Sequence, residues 1–475
     1  MTAQEALKNY FGYDSFRPGQ DTVVSALLSG RDALAIMPTG AGKSLCYQIP
    51  ALLLPGLTLV ISPLISLMQD QVKGLSAAGI PAAYINSALT ENQIAKALQL
   101  AAQGSYKIIY VAPERLESPT FQSFAASAEI SMLTVDEAHC ISQWGQDFRP
   151  SYLRILDFID SLPRRPIVSA FTATATREVK DDIAQTLRLR DPEIVITGFD
   201  RPNLYYRVET THRKDAFVAD YVRSHPGESG IIYCATRKNV DAVQEMLRGE
   251  DIPVARYHAG MTNEERRQSQ NDFIYDAAPV IVATNAFGMG IDKSNVRYVI
   301  HYNMPQSMEN YYQEAGRAGR DGLPSQCILL FSPQDIIINR FLLDHKDNDD
   351  LNDEAADLLR ERDNQRLQAM ANYCQTTGCL RNYILRYFGE EPAGPCDSCG
   401  NCDREFEEVD MTAQAKWMIN CVAETRGRYG KGVVLNTLRG ANMARLRELG
   451  AMDYRSYGQL KDCTRDELDC LLAQL

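Results

Sequence analysis

Residues 33–53 read ALAIMPTGAGKSLCYQIPALL. An apolar run of strand length meets a turn containing two glycines, and a stretch with helical apolar spacing follows. Strand, glycine turn and helix in that order let backbone N–H groups cradle a phosphate while the helix N-terminus adds its dipole. In this turn, which Thr39 opens, Gly40 and Gly42 keep the backbone open to close approach. Lys43 is placed to reach β- and γ-phosphates, and the Ser44 hydroxyl to ligate Mg²⁺. The longer form of such a loop would begin with glycine where Met37 stands. A glycine-rich turn without a ligand is the plain alternative, and the neighbouring segments decide between the two.

Short β-branched runs alternate with helix-length amphipathic segments on both sides of this unit. After 33–38 come TLVISP (58–63), KIIYVAPE (107–114), MLTVDEAH (132–139) and PIVSAFTATA (166–175). A second series holds GIIYCAT (230–236), VARYHAG (254–260), VIVATN (280–285), VRYVIHYN (296–303) and CILLFSP (327–333). Near-continuous apolar runs are strands covered on both faces, so the pattern predicts two parallel-sheet α/β domains. Gly198 and Pro202 mark the link between them, which bounds the domains at 1–202 and 203–335. The grammar then changes. An acidic helical pattern, DHKDNDDLNDEAADLLRERD (344–363), reads as part of a solvated helical pair, a cysteine-bearing segment follows, and EFEEVD (405–410) reads as a linker. The last expected parts are therefore a helical module over 336–408 and a basic domain over 409–475.

The 475 residues carry a net charge of −12. Residues 411–475 hold 10 Lys and Arg against 7 Asp and Glu, so the acidic balance lies entirely in the preceding 410. Nucleic-acid affinity follows local cationic clusters rather than that sum. No apolar run reaches membrane-span length, and the N-terminus has no signal-peptide pattern. Twelve cysteines without a secretion signal read as reduced thiols or metal ligands in a cytoplasmic protein.

Asp136-Glu137-Ala138-His139 closes a strand about ninety residues after the phosphate loop. Asp136 there can hold Mg²⁺ and Glu137 can polarise an attacking water. Arg317 and Arg320, in QEAGRAGRDG (313–322), would meet the γ-phosphate from the second domain. The arginines are three apart, so a helix would carry both on one face, and neutralising transition-state charge is what such arginines do.

The ordered set resembles the RecQ family of superfamily 2 helicases: MPTGAGKS (37–44), SPLISLMQDQ (62–71), VAPER (111–115), DEAH, FTATA (171–175), IYCATRK (232–238), VATNAFGMGID (282–292) and QEAGRAGRDG. The short Thr-Gly-x-Gly-Lys-Ser loop agrees with that class. The resemblance implies two RecA-like domains, then a helical zinc-binding module and a partial winged-helix domain. It also implies that Tyr13 and Arg17 sandwich adenine while Gln20 bonds its edge, within the FRPGQ region (16–20). Thr172 and Thr174 would couple nucleotide state to domain closure, and Gln313, Arg317 and Arg320 would sense the γ-phosphate, with Arg320 as the arginine finger. Arg237 and Thr284, in the second domain's motifs, join the expected DNA contacts.

His139 leads into a segment with Trp144, Phe148 and Arg149, similar to the family's aromatic-rich loop. Aromatic rings beside a cation suit single-stranded DNA, and the alternative is a core aromatic cluster. Sixteen residues separate Cys379 from Cys396-x-x-Cys399-x-x-Cys402. Four closely spaced thiolates suit a closed, structural Zn²⁺ site, with Cys374 as a competing ligand and an iron–sulfur cluster as the chemical rival. With Cys379 the spacing resembles the RecQ zinc module. Residues 411–475 resemble the start of the family's winged helix and stop before a β-hairpin wing. Arg426, Arg428, Lys431, Arg439, Arg445 and Arg447 are its candidate duplex contacts. The implied activity is ATP-dependent 3′-to-5′ DNA unwinding in recombination and repair, on single-stranded and forked DNA in the bacterial cytosol or nucleoid, with ATP, Mg²⁺ and Zn²⁺. An RNA-remodelling helicase is the nearest rival enzyme.

Overall fold

The computed structural model describes residues 1–474 apart from 143, 146, 289–292, 346–352 and 405–408. Two glutamines of the aromatic segment, the end of VATNAFGMGID, the middle of the acidic segment and most of EFEEVD therefore lie outside the described residues. Residues 1–404 and 405–475 form separate compact units.

The first lobe is a parallel sheet of β1 (Ala33–Ile36), β2 (Leu57–Ile61), β3 (Ala82–Ile85), β4 (Ile108–Val111), β5 (Ile130–Val135), β6 (Ile167–Thr172) and β7 (Glu193–Ile196). Its strand order is β3-β4-β2-β5-β6-β1-β7. The second lobe holds β8 (Leu204–Thr210), β9 (Ser229–Tyr233), β10 (Val254–Tyr257), β11 (Val280–Ala283), β12 (Val296–His301) and β13 (Ser325–Phe331), ordered β10-β11-β9-β12-β13-β8 and also parallel. Alternate residues of the inner strands feed opposite layers. Leu34, Leu59, Ile109 and Leu133 join one core, and Ala35, Val60, Tyr110 and Met132 the other. Side chains that alternate across a pleat must be apolar on both faces when helices cover both, which is why these strands read as unbroken hydrophobic runs.

The long helix Asp353–Gln375 and the helix Leu380–Tyr387 pack onto the second lobe, and Met370, Leu380, Ile384 and Cys399 extend its core. The expectation of a solvated helical pair fails toward its end: Ala356, Leu359, Arg362 and Asp363 are buried. Arg362 lies over the Trp144 ring and Asp363 pairs with Arg366, contacts that no period-counting of an acidic stretch could reveal. In the unit from 405, helices Thr412–Glu424, Lys431–Leu438, Ala444–Glu448 and Arg465–Gln474 enclose Met418, Cys421, Val434, Leu438 and Leu468.

Candidate functional site

Strands β5, β6 and β1 are neighbours, so the segments just beyond their C-terminal ends are brought together. These are the DEAH residues 136–139, the 172–174 segment and the loop 37–44. In open α/β sheets this edge is where ligands bind. Gly40 and Gly42 hold positive φ of 85° and 80°, conformations that glycine adopts without strain. A Cβ on Gly42 would also lie 2.5 Å from Gln20 Nε2. Lys43, the first residue of helix Lys43–Leu53, donates to Met37 O at 3.0 Å. Burial holds its ammonium below the ordinary lysine range, and Glu137 and Asp136 oppose that shift.

Asp136 is buried, and burial together with Glu137 pushes its carboxyl up to about 7. Ser44 lies in the first turn of the helix after the phosphate loop, and Asp136 follows β5 at the same edge of the sheet. A hydroxyl and adjacent carboxylates at that edge fit a divalent cation, the oxygen donor set that Mg²⁺ takes. When bound there, Mg²⁺ supplies charge to neutralise β- and γ-phosphate oxygens. Glu137 sits at φ 48°, outside the usual range for a side-chain-bearing residue. Its Oε2 is buried, among the described residues without a hydrogen bond, and lies 3.4 Å from His139 Nδ1.

His139 Nδ1 lies 2.9 Å from Thr172 Oγ1, and that hydroxyl donates to Thr174 O at 3.0 Å. Because the hydroxyl proton points to Thr174, the Nδ1–H of His139 is the donor. Burial holds the imidazole below its ordinary range. A short line of contacts thus joins Glu137, His139, Thr172 and Thr174.

The segment after His139 is a loop, closed by Arg149 N donating to Cys140 O at 2.9 Å. Gly145 is required by contact, since a Cβ there would lie 2.0 Å from His139 O. Trp144 is 45% exposed, and Arg362 Cζ sits 3.5 Å from its ring centroid. Arg366 Nη2 donates to Trp144 O at 2.5 Å and Nη1 to Asp363 at 2.9 Å. Phe148 is half-buried, and Arg149 pairs with Asp147 at 2.8 Å. The aromatic loop therefore rests on helix Asp353–Gln375 instead of in a core.

Around the adenine motif, Tyr13 and Arg17 are exposed and Gln20 is buried. Gln20 Oε1 accepts from Arg17 N at 2.9 Å, and Nε2 donates to Ala41 O at 2.8 Å and Gly42 O at 3.2 Å. Its amide is engaged with the phosphate loop in this arrangement. Arg17 Nη1 donates to Gly40 O, and Thr39 lies at the opening of the same loop.

The expectation that Arg317 and Arg320 share a helical face is corrected. Helix Met308–Ala315 ends before them, and residues 316–321 are turn. Glycines at 316 and 319, the latter with φ 56°, stop the helix. Arg317 is buried and donates to Gly288 O, within the second lobe. Arg320 leads elsewhere: a Cβ on Gly40 would lie 3.4 Å from Arg320 Cγ, so this side chain crosses to the phosphate loop. Gln313 is half-buried in the last turn of its helix. Arg237 and Thr284 follow the C-terminal ends of adjacent strands β9 and β11, Arg237 exposed and Thr284 half-buried.

The four sulfurs of Cys379, Cys396, Cys399 and Cys402 lie within 4.8 Å of one another, Cys396 and Cys402 at 3.9 Å. Tetrahedral Zn–S bonds of about 2.3 Å require S···S near 3.8 Å, so the set fits zinc. Burial raises the Cys399 thiol, but backbone groups of Cys402, Leu380 and Asn401 outweigh it and bring the pKa to about 7. Cys374 is buried against other groups and stands apart from this cluster.

The sequence matches four family descriptions in order: DEAD/DEAH box helicase over 17–182, helicase conserved C-terminal domain over 213–322, RecQ zinc-binding over 333–403 and RQC domain over 405–475. A Bacillus subtilis protein described as ATP-dependent DNA helicase RecQ is 46% identical over 460 residues, 97% of this chain and 76% of that protein. The chain belongs to the RecQ family of ATP-dependent DNA helicases. A Pasteurella multocida RecQ is 40% identical across 100% of this chain and 74% of its own length. Among solved structures, the helicase MrfA bound to DNA shares the fold at TM-score 0.58 and 20% identity, over 72% of this chain and 52% of that one. Saccharomyces cerevisiae Dbp5 bound to RNA and ADP BeF3 does so at 0.59 and 18%, over 75% and 97%. This RecQ-family enzyme uses ATP, Mg²⁺ and Zn²⁺, and it binds nucleic acid. Among the described residues, no helix is long and apolar enough to cross a membrane.

Sequence reasoning missed Arg362, read as part of a solvated acidic segment, and Arg366, which lies just beyond it. It also missed Arg201, whose partners are backbone carbonyls far along the chain, and Arg381, which bonds the Asp200 carboxylate and carbonyls of the same connection. No residue pattern announces such partners.

Proposed function

We propose that this RecQ-family helicase turns ATP hydrolysis into 3′-to-5′ movement on single-stranded DNA and opens forked duplexes in recombination and repair, in the bacterial cytosol. The division into 1–202, 203–335, 336–408 and 409–475 accords with this reading: two motor lobes, a zinc module and a winged-helix portion. The carrying observation is Arg320, a cation from the second lobe laid against Gly40 of the phosphate loop. Tyr13, Arg17 and Gln20 take the adenine side, and Thr39, Gly40, Gly42 and Lys43 the phosphates. Ser44 and Asp136 face the cation, and Glu137 aligns water. Gln313 and Arg320 respond to the γ-phosphate while Arg317 stiffens the turn behind them. Lys43→Ala should lower turnover by about 10³-fold, since positioning and charge carry nearly all of phosphoryl-transfer catalysis. Turnover within a few-fold of the parent would overturn this assignment. Comparing forks with 3′ and 5′ tails checks polarity, and 5′-tail preference would reverse it.

DNA occupancy has a route to the site. Trp144, Phe148 and Arg149 lie in the loop that comes directly after the Glu137–His139–Thr172 contacts, while Arg237 and Thr284 offer a second strand-contact edge. A base stacking on an indole contributes about 1–3 kcal/mol, enough to draw Trp144 from Arg362. With Trp144→Ala, the ratio of ATP turnover with single-stranded DNA to turnover without it should fall toward one. A normal ratio would remove Trp144 from the coupling path.

A further inference from the structure

We infer that Arg201 is a positioning residue for ATP hydrolysis, fixing the phosphate loop and the arginine-bearing turn in mutual register. Its guanidinium donates to Thr39 O at 3.1 Å and Gly316 O at 3.3 Å through Nη1, and to Ala318 O at 3.1 Å and Gly319 O at 3.0 Å through Nη2. Thr39 opens the phosphate loop of the first lobe, and the other three carbonyls belong to the turn that carries Arg317 and Arg320. A phosphate loop turns N–H groups toward its ligand. Arg201 instead holds one of its carbonyls, so it supports the loop without competing for phosphate.

The geometry suits arginine alone. A planar fork of five donors can serve carbonyls from two segments at once, whereas an ammonium is a single point of charge. The base of the side chain is anchored as well. Arg381, on the helix that begins after Cys379, donates to Asp200 Oδ1 at 2.7 Å, Arg201 O at 2.7 Å and Leu204 O at 2.6 Å. Tyr312 donates to Phe199 O at 2.9 Å, and Asn203 Nδ2 donates to Gly319 O and Leu323 O, both at 2.9 Å. The connection from β7 to β8 is thus a bracket: its own backbone is held by the zinc module, and its arginine holds both sides of the nucleotide cleft. Of the four carbonyl contacts, the one to Thr39 reaches the first lobe and those to Gly316, Ala318 and Gly319 the second, so the residue between the lobes ties both sides of the cleft to one guanidinium.

This inference rests on the reading that Arg320 acts at the γ-phosphate, and the test separates the two. ATP turnover at saturating single-stranded DNA, ADP affinity, zinc content and melting temperature would be compared for Arg201→Ala, Arg201→Lys, Arg320→Ala and Arg201→Ala/Arg320→Ala. Misplacing a catalytic group by about 1 Å can cost about 10²-fold in rate. Arg201→Ala should therefore lower kcat by about 10²-fold with ADP affinity within about threefold of the parent. Arg201→Lys should keep the fold and zinc but recover only a small part of kcat, and it carries the test if the alanine variant does not fold. Because Arg201 acts through the turn, the double variant should fall no more than about threefold below Arg320→Ala. The inference is overturned by near-parental kcat in Arg201→Ala, by full rescue with lysine, by losses that multiply in the double variant, or by ADP affinity falling in step with kcat. If Arg320→Ala itself turns over normally, the γ-phosphate reading fails; if only Arg201→Ala does, that reading stands and this inference falls.

Discussion

Arg320→Ala is expected to lower ATP turnover by about 10³-fold, at the lower end of what an arginine finger supplies to phosphoryl transfer. The neighbouring Arg317→Ala should behave differently although the two residues are only three apart. Arg317 is buried, and its guanidinium meets Gly288 O inside the second lobe. Removing it takes a charged donor from that carbonyl, a hydrogen bond that contributes about 1–3 kcal/mol of stability. Its kinetic effect should be indirect, through a turn that no longer holds its shape. Arg320, by contrast, crosses to within contact of Gly40, so its loss should act on turnover directly, by removing positive charge beside the phosphate loop. Turnover and melting temperature measured on both variants decide the matter. A normal melting temperature with abolished turnover in Arg317→Ala, and the reverse in Arg320→Ala, would exchange the two roles.

How much of the fold and site was legible in the sequence depends on how local each signal is. The phosphate loop, the DEAH segment and the cysteine cluster are each contiguous or nearly so, and chemistry constrains their spacing. The inner strands were equally plain because both faces are buried. Strands β3, β7 and β8 were not read, and all three lie at sheet edges. Residues of β7 alternate between half-buried and exposed, and those of β8 between buried and half-buried, so neither gives an unbroken apolar run. Spacing also misled at 317 and 320, because three-residue periodicity means one face only if a helix persists, and Gly316 and Gly319 end it. Arg201, Arg362 and Arg381 were invisible for another reason: each is defined by distant carbonyls or a ring, and a lone arginine in a linker or an acidic stretch looks like a solvated charge.

Cys399→Ser should cost folded protein, with zinc falling below one per chain and the melting temperature dropping by about 10 °C or more, as a loss of several kcal/mol implies. The reason lies in what the metal loop holds beyond the metal. Cys399 is wholly buried and pairs with Tyr206 of the edge strand β8, and Gly400 N donates to Tyr206 O at 2.8 Å. That pairing covers a strand edge that would otherwise present open hydrogen-bonding groups. Asn401 Nδ2 donates to Thr376 O at 2.7 Å and Gly378 O at 2.8 Å, tying the loop to the end of the long helix. Cys379 caps helix Leu380–Tyr387, which positions Arg381 at the interlobe connection. Zinc loss should thus free β8, loosen that helix and release the connection together. Chelation should reproduce the fall in melting temperature in the parent protein and leave the serine variant almost unchanged. A serine variant with one zinc per chain and parental stability would mean that three thiolates suffice and that the folding role of Cys399 is its packing alone.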